Sequence, residues 1–421
     1  MAPNDGTQLD PWAGSYAARA VGLVSSEVRA LFSVASRPDV VNLGGGSPYV
    51  SALPLDDIAE LCARLVRERG AEALQYGTGQ GTEELREQIS LVMEREGIVA
   101  HPDDLVVTTG SQQALDLVSK VFLDPGDVVV AEGPSYVGAL GTFTSYQADV
   151  VHVEMDDDGL IPEQLEETLR RLAVERRRPK LLYLIPNFQN PSGVTLSGPR
   201  RIQILEIARR HKLLVIEDNP YGLISFDSEP LPALRSHDED GVIYLGSFSK
   251  TLASGLRVGW AAAPPAIREK LVSASESTVL SPSMFNQLVV STYLANNDWD
   301  GQIKVFRELY RERRDALLQA LADFVPQARW TRPAGGFFVW MTLPTGMNSK
   351  LMLPRAVSER VAYTPGTGFF ADGRGSGHLR LAYSGPTPDR IREGVRRLAT
   401  VIDAEQEMLT TFTGEVPIIA G

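Results

Sequence analysis

The sequence predicts an α/β protein whose mostly parallel sheet is covered by helices on both faces. The first observation is a series of short, unbroken apolar runs between residues 105 and 245, each followed by a segment with helical periodicity. The second is a change of pattern after Pro264, where longer helices and two alternating strands predict a smaller α+β domain. With 421 residues the chain has room for two domains. We expect a large domain at 52–300 and a small one formed by 1–51 and 301–421.

Helices are predicted where apolar residues recur with the helical period, and some of these segments have cap residues at their ends. The helix predicted at 25–32 has a serine cap at Ser25 or Ser26, and the helix predicted at 56–70 starts at Asp56 and stops at Gly70. The predicted helices cover 25–32, 56–70, 112–122, 134–146, 162–178, 199–211, 265–279, 283–295, 302–323 and 388–408. Residues 410–421 break the last helical pattern, so we expect a loosely held tail there.

Strands are predicted at short apolar or alternating runs bounded by glycine, proline or polar residues. They cover 40–43, 105–109, 127–131, 150–153, 181–185, 213–216, 242–245, 336–341 and 378–383. The first is followed by Gly44, Gly45 and Gly46. Three glycines permit close approach of the backbone to a ligand, although a flexible turn explains them equally well.

Composition and charge narrow the class of protein. A hydrophobic content of 43% and a charged content of 22% are typical of soluble globular proteins. The excess of 53 acidic over 41 basic residues gives a net charge of -12, which argues against nucleic acid or an anionic membrane as the main partner. The single cysteine, Cys62, excludes an intrachain disulfide and fits a reducing cytoplasm. The polar N-terminus and the absence of a long apolar run predict neither a signal peptide nor a membrane span.

Candidate site residues follow the predicted strands, because ligands of open α/β sheets sit beyond the carboxyl ends of the strands. Ser111 and Gln112 start a helix, where free backbone N–H groups and the helix dipole favour a phosphate. Tyr136 follows the next strand and could stack on an aromatic ring. When each residue is considered by itself, Ser111 is equally explained as a helix cap and Tyr136 as a residue of the core.

The next strands end in an amide and a carboxylate. Asn190 precedes Pro191 and is therefore held extended, with an amide that can donate to a phenolate or a carboxylate, or that merely belongs to a turn. Asp218 ends a buried strand, where a carboxylate costs several kcal/mol unless it is paired. A protonated pyridine nitrogen would pair with it, and Tyr221 could hydrogen-bond the oxygen of the same ring.

The strand at 242–245 leads into a segment with hydroxyls and two cations. Lys250 suits an amine that forms a Schiff base, and Ser247, Ser249 and Arg257 suit a phosphate. By itself this segment is also explained as a turn with a solvated lysine and arginine. The successive strand ends together describe a pyridoxal phosphate site, and the residues predict no metal.

These motifs carry a family resemblance from about Ser15 to Glu407. The set Asn190-Pro191-x-Gly193, Asp218-x-x-Tyr221, Ser247-x-Ser249-Lys250 and Gly255-x-Arg257-x-Gly259 resembles the fold-type I, class I/II pyridoxal-phosphate aminotransferases. The resemblance implies a seven-stranded, mostly parallel sheet in the large domain, and a homodimer with active sites at the subunit interface. It further implies a tyrosine that reaches the partner's phosphate, an arginine that grips the substrate α-carboxylate, and glycines over the substrate. The matching residues are Tyr76, Arg380, Gly45 and Gly46.

Longer stretches are similar to the 2-aminoadipate aminotransferase subgroup, whose members act on aminoadipate, branched-chain and aromatic substrates. These stretches begin at Leu74, Thr109, Tyr183 and Val242. Arg29 falls where such enzymes carry an arginine that meets a side-chain carboxylate, although a solvated helix residue explains it equally well. The sequence departs from many relatives at Ser254, where they have proline, and we expect no effect on the chemistry.

The resemblance implies a ping-pong transamination in which the freed Lys250 moves a proton as general base and acid. Asp218 keeps the pyridinium protonated, while Asn190 and Tyr221 tune the ring oxygen. A β-lyase or an amino acid oxidase on the same scaffold would share these residues and stays open as an alternative. We do not expect a DNA-binding regulator of this family, because the resemblance begins by about residue 15 and the net charge is unfavourable.

Overall fold

The computed structural model of the chain describes residues 12–20 and 37–413. The helix predicted at 25–32, with Arg29, lies outside the described residues, and so does the segment 414–421.

Fourteen strands are present in the described part of the chain. They are β1 Val41–Asn42, β2 Leu105–Thr108, β3 Val128–Gly133, β4 Asp149–Asp156, β5 Gly159–Leu160, β6 Pro179–Leu184, β7 Leu214–Asp218, β8 Val242–Ser247, β9 Gly259–Ala262, β10 Arg329–Trp330, β11 Phe338–Thr342, β12 Val361–Ala362, β13 Thr364–Pro365 and β14 His378–Ala382. The α-helices are α1 Leu55–Ala73, α2 Glu83–Glu94, α3 Ser111–Phe122, α4 Val137–Ser145, α5 Pro162–Val174, α6 Gly198–His211, α7 Pro265–Val279, α8 Met284–Asn296, α9 Trp299–Phe324, α10 Ser349–Ser358 and α11 Pro388–Thr413.

The large sheet has the strand order β2-β9-β8-β7-β6-β3-β4-β5. Neighbouring strands from β8 through β7, β6 and β3 to β4 are parallel, whereas β9 is antiparallel to both β8 and β2. The two-residue strand β5 adds an antiparallel eighth strand at the edge. The predicted α/β class with a mostly parallel sheet is therefore confirmed, with one short strand more than the seven expected.

Alternate residues of the central strands enter two different hydrophobic cores, which is why helices cover both faces of the sheet. Leu181 and Tyr183 of β6 pack with residues of α3, α4 and α7. Leu182 and Leu184 of the same strand pack with residues of α5 and α6 on the other face. Since strand side chains alternate between the faces, such buried strands carry apolar residues at almost every position.

A second, four-stranded antiparallel sheet has the order β10-β11-β14-β13, and β1 pairs in parallel with β12. One continuous core reaches from Leu61 of α1 to Ile402 of α11 and so contains residues from both predicted domains. The division at residues 51 and 300 stays a prediction.

Two predicted boundaries are wrong by four residues or more. Helix α11 continues to Thr413, so residues 410–413 are helical where a tail is predicted. Helix α5 ends at Val174 rather than 178, because Arg176 adopts a left-handed conformation with φ 58°. Within residues 12–20 and 37–413, no helix is both long and apolar enough to cross a membrane.

Candidate active site

A cavity of about 370 Å³ lies where several strand ends of the large sheet meet the glycine segment and β14. Its lining includes side chains that follow β2, β3, β6, β7 and β8. The predicted site residues on its wall are Gly46, Ser111, Gln112, Tyr136, Asn190, Asp218, Tyr221, Ser247, Ser249, Lys250, Arg257 and Arg380. The structure thus brings most of the candidates together.

Lys250 follows β8 and projects its amine into this cavity. Its Nζ donates a hydrogen bond to the Gly46 carbonyl at 3.2 Å and lies 5.8 Å from the centre of the Tyr221 ring. Burial, together with the positive charges of Arg380 and Arg257, lowers the pKa of the Lys250 amine to about 8. A substantial neutral fraction is therefore present near neutral pH, as a nucleophilic amine requires.

Asp218 ends β7, and the parallel register places it opposite Leu245 of β8. Its Oδ2 accepts a hydrogen bond from the Tyr183 hydroxyl at 2.7 Å, while its Oδ1 is buried and has no hydrogen-bond partner among the described residues. Burial raises the pKa of Asp218 to about 6. A buried oxygen that lacks a donor fits a ligand with a cationic N–H group, which would keep the carboxylate ionised.

Arg380 is a buried cation on β14 at the opposite wall. Its Nη1 donates to Oδ1 of Asn190 at 2.8 Å and its Nη2 donates to the Gly44 carbonyl at 2.7 Å, while Nε has no hydrogen-bond partner in the part of the chain that the structure describes. The guanidinium stacks 4.1 Å from the Phe338 ring centre. No carboxylate pairs with Arg380 within residues 12–20 and 37–413. An uncompensated buried guanidinium is suited to a carboxylate that comes from a ligand.

The start of α3 and the segment after β8 form an anion cradle. The N–H groups of Ser111 and Gln112, the first two residues of the helix, lack intrahelical partners, and Arg257 lies over Gly110, where a Cβ would overlap its guanidinium. Ser247 donates from its Oγ to Oγ of Ser249 at 2.8 Å. The side chain of Gln112 is already bonded to Thr142 at 2.8 Å, so Gln112 can contribute its backbone N–H rather than its amide.

The cavity as a whole fits pyridoxal phosphate. Lys250 would meet its aldehyde, the open oxygen of Asp218 would meet its protonated ring nitrogen, and the helix start with Arg257 would meet its phosphate. Tyr136 and Tyr221 also lie on the wall, and burial raises the pKa of both phenols, so they stay protonated.

Two predicted residues within the described ranges are not on the cavity wall, and a third cannot be placed. Gly45 lies beside it, with its N–H bonded to Oδ1 of Asn42 at 3.0 Å. Tyr76 is 76% exposed and lies away from the cavity of its own chain. Arg29 lies outside the described residues.

Several residues near the site are not predicted from the sequence. Tyr183 donates a hydrogen bond to Asp218. The sequence does indicate such a contact, because the phenol of a tyrosine inside a buried strand needs a hydrogen-bond partner. Glu132 accepts from the Ile185 N–H at 2.9 Å and fixes the loop that leads to Asn190. Burial raises the pKa of Glu132 to about 8. Its position in an otherwise apolar strand is the sequence feature that could have identified it as a supporting residue.

Comparison with known proteins agrees with this geometry. The family model "Aminotransferase class I and II" matches residues 38–398. Aromatic-amino-acid aminotransferase 1 of Thermococcus litoralis is 42% identical over 395 residues, which cover 93% of this chain and 95% of that protein.

Two solved structures have the same fold. A kynurenine aminotransferase of Pyrococcus horikoshii, in complex with PMP, matches with a TM-score of 0.89 and 40% identity, covering 93% of this chain and 97% of that one. LysN, an alpha-aminoadipate aminotransferase of Thermus thermophilus complexed with N-(5'-phosphopyridoxyl)-L-leucine, matches with a TM-score of 0.86 and 39% identity, covering 94% and 99%.

Proposed function

This chain belongs to the class I and II aminotransferases, and on that premise we propose that it exchanges amino groups between 2-aminoadipate, aromatic or branched-chain L-amino acids and a 2-oxo acid such as 2-oxoglutarate. It is a pyridoxal-phosphate-dependent aminotransferase. The observation that carries the substrate class is Arg380, a buried guanidinium that faces the same cavity as the Lys250 amine. This pair of groups fits the carboxylate and the amine of an α-amino acid.

Bound pyridoxal phosphate supplies an aldehyde that takes up the amino group and a ring that withdraws electrons from the substrate Cα. Lys250, once its Nζ is released, carries the proton between the substrate Cα and the cofactor as general base and then general acid. Its lowered pKa, about 8, keeps both protonation states accessible near neutral pH. The negative charge of Asp218 keeps the ring nitrogen of the cofactor protonated. The hydrogen bond from the Tyr183 hydroxyl fixes the orientation of the Asp218 carboxylate.

The remaining residues bind and orient. Arg257 and the start of α3 bind the phosphate of the cofactor, and Tyr136 stacks on its pyridine ring. The Tyr221 phenol and the Asn190 amide donate hydrogen bonds to the ring oxygen. The other proposed phosphate anchors are Ser111, Gln112, Ser247 and Ser249. Gly45 and Gly46 are assigned to the backbone that lies over the substrate, and Gly46 packs so closely on Phe338 that a Cβ would overlap its ring.

The substrate range follows from the relatives and from Arg29. The relatives named above act on aromatic amino acids, kynurenine and alpha-aminoadipate. We assign Arg29 to a side-chain carboxylate, and this rests on its place in the sequence alone, because it lies outside the described residues.

We expect 2-aminoadipate and glutamate to convert the holoenzyme from its yellow form to the pyridoxamine form, because Arg29 meets the second carboxylate of these substrates. Arg29→Ala weakens the apparent affinity for both by roughly 10-fold, as loss of a charge-assisted hydrogen bond predicts, and leaves aromatic substrates unchanged. The measurement is the absorbance change for each amino acid in the absence of an acceptor. If both dicarboxylic substrates fail while aromatic or aliphatic ones react, the assignment of Arg29 is wrong.

We further propose that the enzyme is a cytoplasmic homodimer. Tyr76 supports a shared site, because it is exposed and away from the cavity of its own chain. Leu74 and Leu280 are 73% and 56% exposed, and the N–H of Gly77 donates to Oγ of Ser281, so the two exposed segments lie side by side. A partner subunit seated on this face would cover both leucines and bring its own site to Tyr76.

Tyr76→Phe is expected to weaken cofactor binding by roughly 10-fold, because it removes one hydrogen bond to a charged phosphate of the partner. Titration of the apoenzyme with pyridoxal phosphate measures this. Tyr146→Phe removes a phenol that donates to Asp116 outside the cavity and serves as the matched control. A chain that sediments as a fully active monomer, or a Tyr76→Phe enzyme with wild-type cofactor affinity, contradicts the shared site.

A further inference from the structure

Behind the wall of the active site lies a buried acid that the proposed chemistry does not use. Glu96 follows α2 and is only 3% exposed. Its carboxylate accepts a hydrogen bond from Nδ2 of Asn219 at 2.6 Å and another from the Tyr244 hydroxyl at 2.6 Å. A buried carboxylate is costly, so its retention at this depth needs a reason beyond filling space.

Glu96 contacts two residues in or next to the segment 218–221, which carries Asp218 and Tyr221. Asn219, inside the segment, is bonded to Glu96 as described, and its backbone N–H donates to the Leu245 carbonyl at 2.9 Å. Gly222, directly after the segment, lies so close to Glu96 that a Cβ would overlap its carboxylate. One side chain therefore bonds to the segment near its start and packs against the residue that follows its end.

The same hydrogen-bond chain extends to the loop of Asn190. Oδ1 of Asn219 accepts from Nδ2 of Asn187 at 3.0 Å, and Oδ1 of Asn187 accepts from Arg201 at 2.5 Å. The contact with Asn187 lies three residues before Asn190 in the chain. A network of buried, satisfied polar groups is rigid, which suits side chains whose positions decide the chemistry.

We propose that Glu96 is a positioning residue that fixes the segment 218–221 for catalysis. It touches neither the cofactor cavity nor the substrate, and it acts through Asn219 and Gly222. This inference rests on the proposed function, because it needs Asp218 and Tyr221 to contact the ring of the cofactor.

The inference is tested with Glu96→Ala, with Glu96→Gln as the conservative variant and with Tyr244→Phe as the matched control. The Gln side chain can still accept from Asn219. Tyr244→Phe removes the bond from Tyr244 to Glu96 and a longer bond of 3.4 Å from Asn219 to the Tyr244 hydroxyl, but it keeps the 2.6 Å bond between Asn219 and Glu96. Three quantities are measured on each protein: the cofactor dissociation constant of the apoenzyme, the pH midpoint of the visible absorbance change of the bound cofactor, and the melting temperature.

Glu96→Ala should weaken cofactor binding by about tenfold, as loss of a supporting contact around a site does. It should also move the absorbance midpoint upward by about one pH unit, because a displaced Asp218 and Tyr221 no longer favour the positive ring nitrogen and the negative ring oxygen. Glu96→Gln should restore both quantities to within about twofold or a few tenths of a unit of wild type. Tyr244→Phe should lower the melting temperature and leave the midpoint unchanged.

If Glu96→Ala and Tyr244→Phe lose stability alike while midpoint and affinity stay at their wild-type values, Glu96 is only structural and the inference is wrong. If Glu96→Ala does not fold, Asn219→Ala cuts the same bond and must move the midpoint in the same direction, and a wild-type midpoint there overturns the inference. A wild-type protein that binds no pyridoxal phosphate would instead overturn the proposed function, and the inference with it.

Discussion

We expect Lys250→Ala to abolish transamination. The variant loses the amine that we propose carries the proton between Cα and the cofactor, and no other lysine lines the cavity among the described residues. Removal of both a nucleophile and a proton carrier predicts a loss of roughly 10⁴-fold or more in kcat. The measurement is oxo acid formation from the best substrate of the panel at saturating pyridoxal phosphate.

A small primary amine in the assay should restore part of the lost rate, because it can occupy the space left by the side chain and carry the proton. Lys120→Ala is the matched control, since Lys120 lies on the exposed face of α3 and donates to Ser277. It is expected to be as active as wild type. A Lys250→Ala enzyme that turns over at the wild-type rate would refute the role of Lys250.

Asp218→Asn should lower kcat by roughly 10²–10³-fold, the range seen when one preorganised electrostatic group is removed. The substitution keeps the shape of the side chain and its acceptor for Tyr183, but removes the negative charge that holds the ring nitrogen protonated. The second oxygen of this carboxylate, Oδ1, has no donor within the described chain and is open to the ring nitrogen. Steady-state kinetics with one amino acid and 2-oxoglutarate measure the loss.

Asp227→Asn makes the same chemical change in a half-exposed ion pair with Arg314, outside the cavity. This control variant should change the free energy of unfolding by no more than about 1 kcal/mol and should leave kcat unchanged. If both asparagine variants keep the wild-type rate, the ring nitrogen does not depend on Asp218.

The strands that carry the site were predictable because they are buried on both faces. Each of β6, β7 and β8 contains an unbroken apolar run of three or four residues, which identifies the strand without any alternating pattern. Strand β9 has the sequence Gly-Trp-Ala-Ala and is not predicted, because small residues carry little strand signal. Strands of two residues, such as β12, are held by their partners and have no pattern of their own.

Two helices were not predicted, for different physical reasons. Helix α10 contains Pro354, which normally argues against a helix, and it is stabilised here by Asn348 at its N-cap. Helix α2 has an available signal, since Thr82 caps it by accepting from the Leu85 N–H. That cap and the acidic first turn predict the helix correctly when they are used together.

Most of the candidate site was predictable because its residues follow strand ends that the topology brings together. The residues that support the site were not, because each acts from inside an element or just beyond one: Tyr183 within β6, Phe338 at the start of β11, and Glu96 after α2. Because their contacts join segments that are far apart in the sequence, no local sequence pattern predicts them. The role proposed for Tyr76 needs a second chain, which one sequence does not describe.

The measurement that tests the central claim most directly is the amount of oxo acid formed from one amino acid without any acceptor. An aminotransferase that carries the amino group on its cofactor produces one equivalent per subunit, stops, and starts again when 2-oxoglutarate is added. Continued oxo acid formation with uptake of oxygen, or with release of ammonia, would contradict transamination and indicate an oxidase or a β-lyase on this scaffold.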